Sequence, residues 1–169
     1  GPKITYMAAE GFLPLQIHAS GLRGGTVQIK GNISSQYLTA LLLSAPFATE
    51  GLTIQVIGDL VSKPYIDTTL DVMRKFSVDV ANDHYQTFTI KPNQYYESPQ
   101  HILVEGDASS ASYFMAAAAV IGGPVRVLGV GSDSIQGDVQ VADVLQKMGA
   151  VVTKGPDWIE VKKHELNGV

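Results

Sequence analysis

The chain has 169 residues and a mass of 18.0 kDa, with 45% apolar and only 17% charged residues. Disorder along its whole length is therefore excluded, and one domain or two small ones can bury a core. With 12 Lys and Arg against 16 Asp and Glu, the net charge of −4 leaves no basic footprint for duplex nucleic acid, and the lack of cysteine removes disulfides, Cys-zinc sites and a cysteine nucleophile.

The start Gly1-Pro2-Lys3, without Met, reads as processed, tagged and cleaved, or cut from something longer. No signal peptide follows, and the longest apolar run, Tyr113 to Ile121, is far short of the roughly 18 residues of a membrane span. Gly24-Gly25 is a tight turn. Val27-Gln28-Ile29 alternates and is β-rich, predicting a strand before Gly31. A helix is predicted over Ser34 to Phe47, capped by Ser34 or Ser35 and apolar on almost every face, the pattern of a buried helix. Thr53 to Ile57 is a strand. Pro64 opens a second helix to about Phe76, with Ile66, Leu70 and Met73 in one stripe. Val78 to Val80 and Thr87 to Ile90 form two strands about a turn at Asn82-Asp83, and the polar, proline-containing stretch Pro92 to Gln100 is a linker. Beyond it, strand Ile102 to Val104, helix Ser110 to Ile121, a tight turn at Gly122-Gly123, strand Val125 to Val130 and helix Asp138 to Met148 follow in turn. Strands Ala150 to Thr153 and Trp158 to Lys162 close the chain around Gly155-Pro156-Asp157.

The two halves echo each other. Gly31-Asn32-Ile33-Ser34-Ser35 returns 75 positions later as Gly106-Asp107-Ala108-Ser109-Ser110. Asp71-Val72-Met73-Arg74-Lys75-Phe76 returns after 72 as Asp143 to Met148, and Phe88-Thr89-Ile90-Lys91 after 71 as Ile159 to Lys162. Three matches in the same order argue for two copies of one β-α-β-α-β-β unit.

Several chemistries have no motif here. There is no dinucleotide or P-loop glycine motif, no nucleophile elbow and no metal pattern, and His18, His84, His101 and His164 read as scattered surface or loop residues. The positive candidate is Ser34-Ser35-Gln36. Free N–H groups and the positive end of a helix dipole meet hydroxyls there, a neutral cup for phosphate or carboxylate; plain helix capping is the alternative. In the second half, Asp107 beside Ser109-Ser110 favours capping. Ser62-Lys63-Pro64-Tyr65 gathers a hydroxyl, an ammonium and a phenol at the second helix start, able to grip a phosphorylated, polyhydroxylated ligand; a cap, a solvated Lys and a half-buried Tyr would look the same. Asp67 and Asp71, four apart, read as a solvated face.

In order, Gly31 to Leu42, Leu60 to Asp67 and Val104 to Phe114 resemble the 5-enolpyruvylshikimate-3-phosphate synthase family, and the likeness covers essentially all 169 residues. The resemblance implies a mixed α/β fold: two βαβαββ units of the enolpyruvyl transferase inside-out barrel type. Residues 1–98 would be the C-terminal part of the first, substrate-binding domain, with one full unit at about 27–91, and 99–169 the first unit of the second domain. The implied reaction moves the enolpyruvyl group of phosphoenolpyruvate to the 5-hydroxyl of shikimate 3-phosphate and releases phosphate, in the cytoplasm and without a cofactor or metal. Ser34, Ser35 and Ser62 would bind shikimate 3-phosphate, Gln36 would sit between it and phosphoenolpyruvate, and Tyr65 would lie against it. Thus the family uses both anion-suited helix starts.

Departures from the family are also plain. Its early Lys-Ser and Arg, its N-A-G-T-A-x-R-P loop, the Arg before Gly1 and the downstream Asp, Lys-Glu and Arg motifs are absent, so no catalytic residue is assigned. Ser77 and Gln100 stand where the family commonly has Gly. The expectation is an internal piece, inactive alone, whose partners are the two substrates and either the missing units or a second copy covering exposed apolar faces. A non-catalytic folding or assembly module is the other reading. The related UDP-N-acetylglucosamine enolpyruvyl transferases are disfavoured by the two serine segments. Neither nucleic acid nor membrane is an expected partner.

Overall fold

The computed structural model describes residues 2–169; Gly1, on which the reading of a cut N-terminus rests, lies outside them. The chain divides into two compact units, residues 1–100 and 101–169, each with its own core.

The first unit begins with a hairpin of β1 (Lys3–Tyr6) and β2 (Leu15–His18), which sequence patterning did not reveal. Its main body is β3 (Gly25–Lys30), α1 (Ser35–Ser44) with a 3₁₀ turn at Ala45–Phe47, β4 (Leu52–Ile57), α2 (Lys63–Lys75), β5 (Ala81–Asp83) and β6 (Thr87–Ile90). The strands lie in the order β3-β4-β6-β5. β3 and β4 are parallel, paired from Gly25–Leu52 to Lys30–Ile57, and β6 runs antiparallel to both β4 and β5. The second unit has α3 (Ala108–Ile121), β7 (Val125–Leu128), a 3₁₀ turn at Gly137–Gln140, α4 (Val141–Lys147), β8 (Val151–Gly155) and β9 (Trp158–Lys162). Its three strands lie antiparallel in the order β7-β9-β8.

The first core joins Leu38 and Leu42 of α1, Ile66 and Met73 of α2, and Ile54, Phe88 and Ile90 of the sheet. The second is built on Ala108, Ala111, Met115 and Ala118, whose spacing of three and four is one face of α3, packed with Leu145, Ile159 and Val161. Each large side chain buried here contributes roughly 1.5–3 kcal/mol.

Four expectations need correction. α1 is not buried all round: Tyr37 is 60% exposed, because the sheet covers only one face, and α3 likewise leaves Tyr113 and Ile121 exposed. No strand forms at 102–104; Leu103 and Val104 are exposed, and the tie to the β7 edge comes two residues later, where the Gly106 N–H donates to the Gly129 carbonyl at 2.8 Å. Val78 to Val80 is not a strand either. Val78 is buried in the core and its N–H bonds the Met73 carbonyl, so the chain closes α2 before it can pair. The hairpin turn falls at His84-Tyr85, both with positive φ, while the Asn82 side chain accepts the Tyr85 N–H at 2.8 Å instead of forming the bend. The linker 92–100 ends at the division between the two units and is tied to the first: Gln94 bonds the Asp79 backbone twice, and the Tyr96 hydroxyl donates to the Leu43 carbonyl at 2.9 Å. Smaller shifts are at element ends: β7 stops at Leu128, and a 3₁₀ turn precedes α4.

Ser77 and Gln100, the two positions where the resemblance leads one to expect Gly, have φ of 67° and 63°, a region that only glycine enters freely. The one-sided burial of α1 has a direct test. Leu42→Ala should lower the stability of the first unit by about 2–5 kcal/mol. Leu43→Ala, one residue on and 40% exposed, should change it by less than about 1 kcal/mol. Hydrogen exchange of the β4 and β6 amides measures both, and equal losses would contradict the packing described.

Candidate functional site

The parallel pairing of β3 and β4 brings their carboxyl ends side by side, and α1 and α2 start from those ends. Gly31 makes this possible. Its N–H bonds the Ile57 carbonyl and its carbonyl accepts the Val61 N–H, and a Cβ there would lie 2.6 Å from Val56 and 2.9 Å from the Asp59 carbonyl. The two helix starts line one open groove of about 790 Å³.

Ser34, Ser35, Gln36, Ser62 and Tyr65 all line this groove, so the five candidate positions come together. Ser34 is the N-cap of α1, its Oγ accepting the Gln36 N–H at 3.2 Å. Capping and groove lining are thus the same residue in two roles. Ser35 is only 8% exposed, and no group among the described residues bonds its hydroxyl. Ser62 precedes α2 in the left-handed region, φ 57° and ψ 42°, and makes no capping bond, so the capping alternative does not hold for it. Serine held in that region costs free energy, of order 1–3 kcal/mol, and such residues concentrate at ligand sites.

Lys63 does not join them. Its ammonium sits 5.2 Å over the Tyr85 ring, whose hydroxyl donates to Asp67 at 2.7 Å, which pushes the phenol pKa upward. Asp67 and Asp71 are therefore engaged rather than merely solvated: Asp71 pairs with Lys75 at 2.7 Å and with Arg74, and the Lys75 bond foremost holds its carboxyl below the usual range. Sequence reading missed Thr39, Thr68 and Thr69, which also line the groove. The signal was present, since Thr39 is four residues from Ser35 and Thr69 four from Tyr65, one helical turn in each case. No lining residue is charged.

In the second unit the matching helix start is filled by the chain itself. The cap of α3 is Asp107, not a serine: its carboxylate accepts the N–H groups of Ser109 and Ser110 and the Ser110 hydroxyl. Ser109 donates its hydroxyl to Asp138. Gln136 completes the set, accepting the Ala108 N–H at 2.9 Å and donating to Glu105 and the Gly106 carbonyl.

The fold defines the class. Over its whole length the chain is similar to an EPSP synthase from Acinetobacter baumannii, with a TM-score of 0.73 at 23% identity, covering 38% of that structure. Over 96% of its length it is similar to the enolpyruvyl transferase NikO from Streptomyces tendae, with a TM-score of 0.66 at 18% identity. The architecture is therefore that of the enolpyruvyl transferases. A family model described as EPSP synthase (3-phosphoshikimate 1-carboxyvinyltransferase) matches residues 1–169, and the chain belongs to that family. It is 60% identical over all 169 residues to the 3-phosphoshikimate 1-carboxyvinyltransferase of Marinomonas sp. (strain MWYL1) and 56% to that of Sulfurovum sp. (strain NBC37-1). The chain spans 40% of the length of each of these relatives. No helix is long and apolar enough to cross a membrane among the described residues.

The Asp107 cap carries a pH signature. The Ser110 hydroxyl bond foremost, helped by the two N–H bonds, holds its carboxyl below the usual range against the opposing effect of desolvation. A lowered folded pKa stabilises above the unfolded value, near 3.9, and that stabilisation is lost as pH falls through the folded pKa. Denaturation midpoints of the second unit, followed by Trp158 fluorescence, should fall between about pH 6 and pH 2, and Asp107→Asn should flatten that fall. Superimposable profiles would refute this role for the carboxylate.

Proposed function

We propose that the groove between α1 and α2 is the shikimate 3-phosphate face of a carboxyvinyl transferase. The observation that carries this is the convergence of Ser34, Ser35, Gln36, Ser62 and Tyr65 from two helix starts on one groove with no charged side chain. Ser34, Ser35 and Ser62 hold the phosphate through hydroxyls and free backbone N–H groups, and Tyr65 lies against the ring. Gln36, exposed at the rim, stands between that ligand and phosphoenolpyruvate. The reaction moves the enolpyruvyl group to the 5-hydroxyl and releases phosphate, without a cofactor, in a cytoplasmic pathway of aromatic amino-acid biosynthesis. Residues 1–98 belong to the first domain of such an enzyme and 99–169 open the second, about 27–91 and 99–169 being copies of one unit.

Acid–base groups and cations for phosphoenolpyruvate are not in the groove, so the chain by itself binds weakly and does not turn over. Titration with shikimate 3-phosphate should shift the amide resonances of Ser34, Gln36, Ser62 and Tyr65 at millimolar ligand. Ser35→Ala should weaken that binding about tenfold or more, since a bond to a charged group is lost. No shift at millimolar ligand would sink the assignment, and phosphate release from the two substrates that disappears with Ser34→Ala would sink the claim of inactivity.

A second reading, a folding or assembly module, draws support from the exposed apolar faces of α1 and α3, where Tyr37, Tyr113, Phe114 and Ile121 point outward. Sedimentation as a monomer would remove it.

A further inference from the structure

One turn inward from the serine rim, Thr39 of α1 and Thr69 of α2 meet with their hydroxyl oxygens 3.1 Å apart. Thr69 Oγ1 also lies 2.9 Å from the Tyr65 carbonyl oxygen. A threonine hydroxyl has one proton and two lone pairs, and a carbonyl can only accept. Both contacts are made at once only when Thr69 donates to the Tyr65 carbonyl and Thr39 donates to Thr69. Thr68 repeats the pattern, donating to the Pro64 carbonyl at 3.1 Å.

Direction follows from this bookkeeping of protons. Thr39 is committed as a donor toward α2, so what its half-buried oxygen offers the groove is acceptor capacity alone. The rim is the reverse, made of helix N–H groups and the unpartnered Ser35 hydroxyl. The groove is thus polarised, donors at the rim and an acceptor one turn in, about 5.4 Å further along α1. A bare phosphate uses only the rim. A phosphate ester with a ring hydroxyl about that distance from its phosphorus uses both.

We propose that Thr39 is a specificity-determining residue of this groove, its Oγ1 accepting a hydrogen bond from a ring hydroxyl of the polyhydroxylated phosphate ester held at the serine rim. Thr69 is a positioning residue that keeps the Thr39 proton turned away from the ligand. The assignment rests on the groove being a phosphate-ester site.

The test uses the 169-residue chain, titrated by NMR with inorganic phosphate and, separately, with shikimate 3-phosphate. Thr39→Val should weaken the ester about five- to tenfold, the loss of one neutral hydrogen bond with its acceptor, and leave inorganic phosphate within about twofold. Thr39→Ser should restore ester binding. Thr69→Val, which frees the Thr39 hydroxyl to rotate, should weaken the ester by a smaller factor and spare phosphate. A ring-deoxy analogue of the ester, titrated against the unsubstituted chain, needs no folded variant, and for one of the ring positions the loss should equal that of Thr39→Val. Equal weakening of both ligands by Thr39→Val would reduce Thr39 to a structural role. No weakening of either, or deoxy analogues that all bind like the parent ester, would also overturn the proposal. Failure of the unsubstituted chain to bind either ligand would instead overturn the phosphate-ester reading, and this one with it.

Discussion

The parallel pairing of β3 with β4 is the constraint from which the candidate site follows. Parallel strands end on the same side, so the helices that leave them also start on the same side. Two N-termini then share one surface, and the loops joining strand to helix become its lining. This is the general location of ligands in sheets with parallel strands. An antiparallel β3 would send α1 from the opposite edge, and Ser34 could not share a groove with Ser62. Gly31 keeps the geometry tight, because any side chain there would meet Val56 and the Asp59 carbonyl.

The second unit shows how small a change closes such a site. α1 starts four residues after Gly31 and is capped by Ser34, whereas α3 starts two residues after Gly106 and is capped by Asp107. The earlier start is the work of the carboxylate, which can take the N–H groups of Ser109 and Ser110 together, where the Ser34 hydroxyl takes only the Gln36 N–H. With Asp138 on the Ser109 hydroxyl, the donors of that helix start are already spent inside the chain. Ser109 and Ser110 are thus satisfied within their own unit, whereas Ser34 and Ser35 line an open groove.

What the sequence made legible follows this division between local and remote causes. Periodicity and cap chemistry located β4, α2, β6 and β9 within a residue or so, and the five groove residues were identifiable because they sit at helix starts. Helix faces were not legible in the same way: Tyr37 read as core by composition, but which face is covered depends on what packs there. Residues 102–104 have strand chemistry and no partner edge, which no local pattern reports. Lys63 lies in the candidate segment by sequence yet is drawn to Tyr85, a residue of the β5–β6 hairpin 22 positions away. Thr39 and Thr69 were legible as spacing and illegible as a site, since only the approach of α1 to α2 gives them each other.

Charge sets the last step. Each helix start offers the equivalent of roughly half a positive charge, so α1 and α2 together offer about one. A phosphate ester near neutral pH carries about −1.5 to −2. The lining contributes hydrogen bonds but no formal charge, leaving an excess of negative charge on a ligand seated there. On the proposed assignment, a neutral groove of this kind would discriminate by the geometry of its donors and by the acceptor on Thr39 more than by attraction. Tight binding then requires cationic side chains approaching from outside the lining, and the nearest lysine in sequence, Lys63, is already held over an aromatic ring. In the proposed reading recognition and charge neutralisation are therefore separable tasks, and these residues would perform the first.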